Sequence, residues 1–225
     1  MCFSAEASFT SAGVLAVIGV LTYRESQKED RTKKLYYLAV IPLMFALQQF
    51  FEGIVWITMP PENDYIFLNK IAKYGFLLFA GLFWPIWIPY TLYKIEENPQ
   101  RKKLIFVTLC IGGMVAISGA LSMIILGNEA RVVAHNIAYP LPLSAQEYGL
   151  TPFFRMTYAL ILGLYVIVTI GSNFISTVRY IWIFGFLTLI GFITAQILYT
   201  HAFGSIWCYF AALISSVSYL IVKKA

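Results

Sequence analysis

The chain has 225 residues, of which 60% are hydrophobic and only 12% are charged. A water-soluble domain has about twice that share of charged residues, so the composition excludes a soluble globular protein and predicts a membrane protein. Lys and Arg number 16 against 11 for Asp and Glu. The basic residues form short clusters beside apolar runs, a pattern typical of membrane-protein loops, so no nucleic-acid partner is expected.

Seven apolar runs are long enough to cross a bilayer, and they predict an all-α bundle of seven transmembrane helices in a single domain. The predicted spans are 3–23, 35–59, 74–93, 104–126, 152–171, 180–200 and 203–222. Pro85 and Pro89 interrupt the third span, where each removes a backbone donor and favours a kink. The stretch 130–139 is mildly amphipathic, which is compatible with a lid on the membrane surface.

The distribution of Lys and Arg predicts the orientation of the bundle. Of the 16 basic residues, 12 follow spans one, three, five and seven, whereas Lys70, Lys73, Arg131 and Arg155 lie on the other side. Short loops rich in Lys and Arg stay in the cytoplasm, so the N-terminus is predicted outside and the C-terminus inside. We expect an integral, multi-pass protein of the plasma membrane, or of the inner membrane if the source is bacterial.

Glu52 is the most informative single residue, because an ionisable group inside a span usually faces inward and marks a site. It lies seven residues from the predicted outer end of the second span, about 10 Å deep. Gln48, Glu52 and Trp56 share one helix face, and Gln49 is one position round. This predicts a polar cavity open to the outer side. The alternative is a structural tie from Glu52 to Lys73 or Arg155.

Other polar residues are predicted to meet at the same outer end. The N-terminal Cys2 and Ser4 would fold into the mouth of the cavity, and Trp207 would lie beside it. Thiolate, imidazole and carboxylate groups bind Zn and Cu, so one interpretation is a metal site whose ligands would be Cys2, His135, His201 and Cys208. A disulfide between Cys2 and Cys208 is the competing interpretation, and both histidines would also suit solvated loops. Cys110 is predicted to be a small core residue.

Familiar membrane chemistries are excluded by missing residues. The seventh span has no lysine for a retinal Schiff base. The two histidines of the chain do not make the three-histidine zinc site of alkaline-ceramidase-like hydrolases. No Asp lies in a predicted span, which excludes a Ser/His/Asp triad there, and phosphate-binding glycine motifs are absent.

The opening Met-Cys-Phe-Ser-Ala-Glu-Ala-Ser-Phe resembles the start of a family of small multi-pass membrane proteins known as a domain of unknown function. The resemblance continues through Phe-Ala-Leu-Gln-Gln-Phe-Phe-Glu-Gly at 45–53 and Gly-Ser-Ile-Trp-Cys at 204–208. It implies that one shared feature includes Cys2, Ser4, Glu52, Trp56, Trp207 and Cys208, and it implies no activity. A histidine often stands in that family where this chain has Gln48, which weakens a metal role for the second span.

Three functions remain open after the sequence is read. The favoured one is binding of a small ligand, a lipid headgroup or a metal ion in the outer cavity, in which Gln48, Gln49, Trp56, Ser4 and Trp207 would contact the ligand. The second is a membrane-embedded hydrolase, with or without a metal, in which Glu52 acts as general base. The third is a transporter of small solutes.

Overall fold

The computed structural model describes residues 4–29, 34–59, 65–125, 130–139 and 152–224, with side chains of the fifth helix described from Met156 onward. Seven helices in this part of the chain are long and apolar enough to cross a membrane, which confirms an integral, multi-pass membrane protein. These are α1 (Ala5–Ser26), α2 (Tyr36–Ile57), α3 (Ile66–Ile95), α4 (Pro99–Ile125), α5 (Met156–Ile175), α6 (Ile181–Leu198) and α7 (Thr200–Lys224).

The seven helices cross the bundle in alternating directions. The start of α1 and the end of α7 therefore lie at opposite ends. We call these the N-terminal end and the C-terminal end of the bundle. Helix α5 begins at Pro152 as a backbone element. The lipid-facing surface carries large apolar side chains such as Phe67 and Ile124, which are 77% and 79% exposed.

Two helices begin earlier than the apolar runs predicted. Helix α3 begins at Ile66 and includes Lys70 and Lys73, whereas the predicted span began at residue 74. Helix α4 begins at Pro99, where the Asn98 side chain accepts hydrogen bonds from the next turn at 3.0 and 3.1 Å. A capping side chain and a proline at the first position set a helix start, and charged residues continue the helix beyond the apolar run.

The predicted irregularity in the third span is a π-helical turn, Phe79–Phe83, directly before the Trp84–Ile95 segment that holds both prolines. A second π-helical turn, Ile167–Gly171, interrupts α5. Helix α2 is interrupted at Val40, and α7 consists of a 3-10 turn, Thr200–Ala202, followed by Phe203–Ser215 and Val217–Lys224. Such turns inside helices are often found at functional sites.

The prolines of α3 explain how closely α4 approaches. Pro85 and Pro89 have no N–H, so they cannot bond the carbonyls four residues earlier, Gly81 O and Pro85 O. Both carbonyls lie against glycines of α4. A Cβ atom at Gly112 would be 1.9 Å from Pro85 O, and one at Gly119 would be 2.7 Å from Gly81 O. Only glycine permits this contact between the two backbones.

The stretch 130–139 forms a β-hairpin of strands β1 (Arg131–Val133) and β2 (Asn136–Ala138), paired antiparallel. Its two turn residues, Ala134 and His135, have positive φ values, as expected for a tight hairpin. Strand β1 is exposed, whereas Ile137 of β2 is fully buried. The Tyr139 ring stacks on Phe76 of α3 at 4.7 Å, so the hairpin packs against the N-terminal end of the bundle.

Candidate functional site

Glu52 is completely buried and faces the interior of the bundle. Its Oε2 accepts a hydrogen bond from Gln49 Nε2 at 3.2 Å, and its Oε1 accepts one from the Ser205 hydroxyl of α7. Ser205 is also fully buried. The carboxyl therefore connects α2 to α7 about one and a half helical turns from the end of α2.

Gln48 connects the same face of α2 to α3. Its Oε1 accepts a hydrogen bond from the indole N–H of Trp84 at 2.7 Å, and the Trp84 ring stacks on Phe45 with centroids 3.8 Å apart. Gln48 and Gln49 are both fully buried. Gln49 Oε1 has no hydrogen-bond partner among the described residues, a costly arrangement in a membrane unless another molecule supplies a partner. The Gln48 side chain also interacts with the Cys208 thiol.

Trp207 and Cys208 of α7 are buried next to this face. Cys208 lies close enough to Glu52 and Gln48 for the side chains to interact. Trp207 stacks on Phe203 and contacts the Tyr165 ring edge-on at 5.3 Å. Its buried indole N–H has no acceptor within the part of the chain that the structure describes.

A cavity of about 40 Å³ lies between α2, α3, α5, α6 and α7. Its lining is mostly aromatic and aliphatic, with two threonine hydroxyls and one thiol, and consists of Phe45, Trp84, Ile88, Tyr165, Thr169, Phe184, Thr188, Trp207, Cys208 and Ala211. Gln48, Gln49 and Glu52 lie beside this lining and are not part of it. The sequence predicted a polar cavity, whereas the cavity in the structure is lined mainly by apolar side chains.

The hydroxyl groups around the cavity are held by backbone carbonyls. Thr169 donates to Tyr165 O and Thr188 donates to Phe184 O, each at 2.8 Å. The Tyr165 hydroxyl donates to Ala80 O, within the π-helical turn of α3, at 2.7 Å. Both π-helical turns therefore contribute to the wall of the cavity or to its support.

Several residues predicted for the site lie elsewhere. His135 and His201 are exposed, in the hairpin turn and at the start of α7. Ser4 caps α1 by accepting a hydrogen bond from Ala7 N at 3.2 Å. Trp56 is half-buried and its indole N–H has no partner among the described residues. Cys2 lies outside the described residues.

The structure does not support the metal interpretation. Within the described ranges, no group of three or more His, Cys, Asp and Glu side chains could hold a metal ion. His135 and His201 are exposed, whereas Glu52 and Cys208 are buried. Cys110 lies on the exposed face of α4, so its prediction as a core residue was wrong. The buried face of α4 passes instead through Thr108 and Gly112.

A second polar cluster lies at the C-terminal end of the bundle, around Glu96. This residue stands in the short connection between α3 and α4, where a carboxylate carries no signal in the sequence. Glu96 is only 1% exposed. Its two oxygens accept hydrogen bonds from the hydroxyl and N–H of Thr177, the Ser176 hydroxyl and the Asn98 N–H, at 2.6–3.0 Å. Burial by itself raises the pKa of this carboxyl, but these donors outweigh burial and lower the pKa below its usual value.

Ser205, Trp84 and Tyr165 were also missed as partners of the site. Ser205 belongs to the Gly-Ser-Ile-Trp-Cys motif at 204–208, and its position three residues before Cys208 places both on one face of α7. That spacing is the available signal. Trp84 and Tyr165 carried no comparable signal, because they are two of many aromatic residues in apolar spans.

Comparison with known proteins identifies a family without an assigned activity. No curated protein and no solved structure matches the chain. The match to a family profile extends over residues 1–225. The chain belongs to the family of unknown function DUF6629, which agrees with the resemblance to a domain of unknown function.

Proposed function

We propose that the protein binds a small molecule inside its membrane-spanning bundle, in the cavity between α2, α3, α5, α6 and α7. The observation that supports this function is a cavity of about 40 Å³ next to the buried indole N–H of Trp207, which has no partner among the described residues. A cavity this size has room for about three water-sized groups. Orphan buried donors are costly in an apolar environment, and a bound molecule would remove that cost.

The test is binding of small solutes to the protein in lipid nanodiscs, measured by saturation-transfer NMR. The probes are methanol, acetone, acetamide and methylammonium, and empty nanodiscs provide the background. Ala211→Leu fills the cavity, whereas Leu213→Ile changes an exposed residue of the same helix. We expect saturation transfer to at least one probe in the wild type and in Leu213→Ile, and its loss in Ala211→Leu. Equal transfer in all three proteins would refute the proposal.

The Ser205–Glu52 hydrogen bond favours a second candidate, a membrane-embedded hydrolase. Glu52 is placed to accept the Ser205 proton while Ser205 Oγ attacks a carbonyl carbon, and the proton would then pass to the leaving alcohol. Water would release the acyl group from Ser205 in a second step. A fluorophosphonate probe should label the wild type and the control Ser215→Ala, but not Ser205→Ala. An unlabelled wild type rules this function out.

We also infer that the N-terminal end of the bundle faces outward. In the sequence, Asn63 stands in the connection between α2 and α3, and Asn98 directly precedes α4. Single cysteines at these two positions can be labelled with a membrane-impermeant maleimide once Cys2 and Cys110 are replaced by Ser. Labelling of residue 63 in intact cells, with residue 98 protected, is the expected result. The reverse pattern would show that the N-terminal end of the bundle faces the cytoplasm.

A further inference from the structure

The C-terminal end of the bundle carries basic side chains that lie over tyrosine rings. Five such pairs occur among the described residues, near the end of α3, the start of α4, the start of α6 and the end of α7. Tyrosine rings are enriched where a helix passes from lipid to water, and basic side chains extend their charged groups to the same level. The pairs therefore mark the depth of the lipid headgroups at this end.

Two of these basic groups share one ring. The guanidinium carbon of Arg179 lies 4.7 Å from the centre of the Tyr180 ring, and Lys224 Nζ lies 5.7 Å from the same point. The two positive charges are therefore within about 10 Å of each other. Arg179 precedes α6, whereas Lys224 ends α7, so tertiary structure brings them together. Lys223 is the residue before Lys224 and lies over the Tyr219 ring at 5.7 Å.

No acidic side chain balances these charges in the structure. Ion pairs occur elsewhere at this end of the bundle, but none within the described part of the chain involves Arg179, Lys223 or Lys224. The sequence has no Asp or Glu after Glu147. Positive charges this close repel one another, and an anion between them replaces that repulsion with attraction.

The backbone of Tyr180 holds the shared ring in place. Its φ is 66°, in a region that a bulky residue rarely adopts, and the turn is closed by a hydrogen bond from Ile181 N to Val178 O at 3.2 Å. Residues with this kind of strain often occur at ligand-binding sites. The ring is half-buried, whereas Arg179 and Lys224 are exposed. The ring therefore supports two charged groups that remain accessible to a ligand.

The position of this cluster indicates the class of ligand. It lies where α6 begins and α7 ends, which is the level of the lipid headgroups, and basic residues at this level attract anionic lipids. An Arg side chain binds a phosphate group through two parallel hydrogen bonds, and Lys binds it as a point charge. We propose that Arg179, Tyr180 and Lys224, with Lys223 beside them, form a binding site for the phosphate of an anionic phospholipid.

Phosphatidylglycerol and phosphatidylcholine with the same acyl chains form a matched pair of probes. Both contain a phosphodiester, but the choline group of phosphatidylcholine cancels its negative charge. Binding of pyrene-labelled forms to the protein in neutral detergent can be followed by energy transfer from tryptophan, since Trp182 is 55% exposed and lies two residues after Tyr180. Phosphatidylglycerol should bind the wild type at least about fivefold more tightly, because one basic residue contributes about that factor. Added salt should reduce this preference.

A pair of double variants tests the residues themselves. Arg179→Gln combined with Lys224→Gln removes both charges from the Tyr180 ring. This variant should weaken phosphatidylglycerol at least about tenfold and leave phosphatidylcholine almost unchanged. The control, Lys70→Gln combined with Lys103→Gln, removes the same total charge from two exposed positions. It should keep the preference of the wild type for phosphatidylglycerol.

Three results would overturn the proposal. One is equal binding of the two lipids to the wild type, and another is an equal loss of phosphatidylglycerol binding in the two double variants. The third is displacement of the lipid by inorganic phosphate but not by sodium chloride of the same ionic strength, which would assign the site to a soluble phosphate. The preference of the wild type does not depend on whether a variant folds. This lipid site is also independent of the cavity, so its failure would leave small-molecule binding in the bundle unaffected.

Discussion

The contact between α3 and α4 predicts opposite effects for alanine at two adjacent glycines. At Gly112 a Cβ atom would lie 1.9 Å from Pro85 O and 3.1 Å from Val168 Cγ1, whereas at Gly113 it would meet nothing within 4 Å. An ordinary contact begins near 3.4 Å, so Gly112→Ala requires the two helices to separate by about 1.5 Å, the difference between these distances. Backbone atoms cannot swing away as a side chain can.

The expected magnitude follows from this overlap. Overpacking typically costs about 1–3 kcal/mol, and a clash with a backbone carbonyl belongs at the upper end, about 3 kcal/mol. Gly113→Ala removes the helix penalty of glycine and gains up to about 1 kcal/mol. Gly112→Ala gains the same helix term, so the two variants should differ by the cost of the clash alone, about 3 kcal/mol. A Cβ atom at Gly119 would lie 2.7 Å from Gly81 O, so the stability of Gly119→Ala should lie between those of the two variants.

The assay is the midpoint of thermal unfolding in detergent, followed by loss of monodisperse protein on size exclusion. Gly112→Ala should melt well below the wild type, and Gly113→Ala at or above it. Because Gly112 contacts Pro85 and the adjacent Trp84 lines the cavity, Gly112→Ala should also weaken the binding of small solutes in the cavity. If Gly112→Ala and Gly113→Ala melt at the same temperature, Gly112 is not in close contact with Pro85 O.

Three further predictions follow from the polar contacts. Glu96→Gln should lower stability at neutral pH. Because the folded-state pKa of Glu96 is lowered, its contribution to stability is complete above the ordinary carboxyl pKa of 4.5 and is lost as the pH falls through the lowered value. The melting temperatures of the wild type and the variant should therefore converge on acidification. A difference that stays constant with pH would contradict this prediction. Gln48→Leu leaves the Trp84 N–H without its acceptor and should cost about 1–3 kcal/mol, measured as a lower melting temperature than that of the exposed control Leu47→Ala. Ala211→Leu, if the cavity accommodates the added carbons, should raise the melting temperature while it abolishes probe binding, as cavity filling often stabilises a protein at the expense of function.

Composition and apolar run length were sufficient to determine that the chain is a seven-helix membrane protein, because the bilayer sets both the length and the polarity of a span. The four-residue spacing of Gln48 and Glu52 also determined that they share a face, since helix geometry is local. Pro85 and Pro89 likewise determined that two carbonyl groups in α3 have no N–H donor within the helix. Each of these conclusions depends on residues within one helix.

Only the tertiary structure decided which neighbours those groups meet. Gly112 and Gly119 receive the freed carbonyls, Ser205 contacts Glu52, and Trp84 contacts Gln48. Such pairings depend on the register and rotation of one helix against another, and these are set by the packing of many side chains at once. In a membrane-embedded chain most helix faces are apolar. Hydrophobic periodicity therefore says little about which helix packs against a given face.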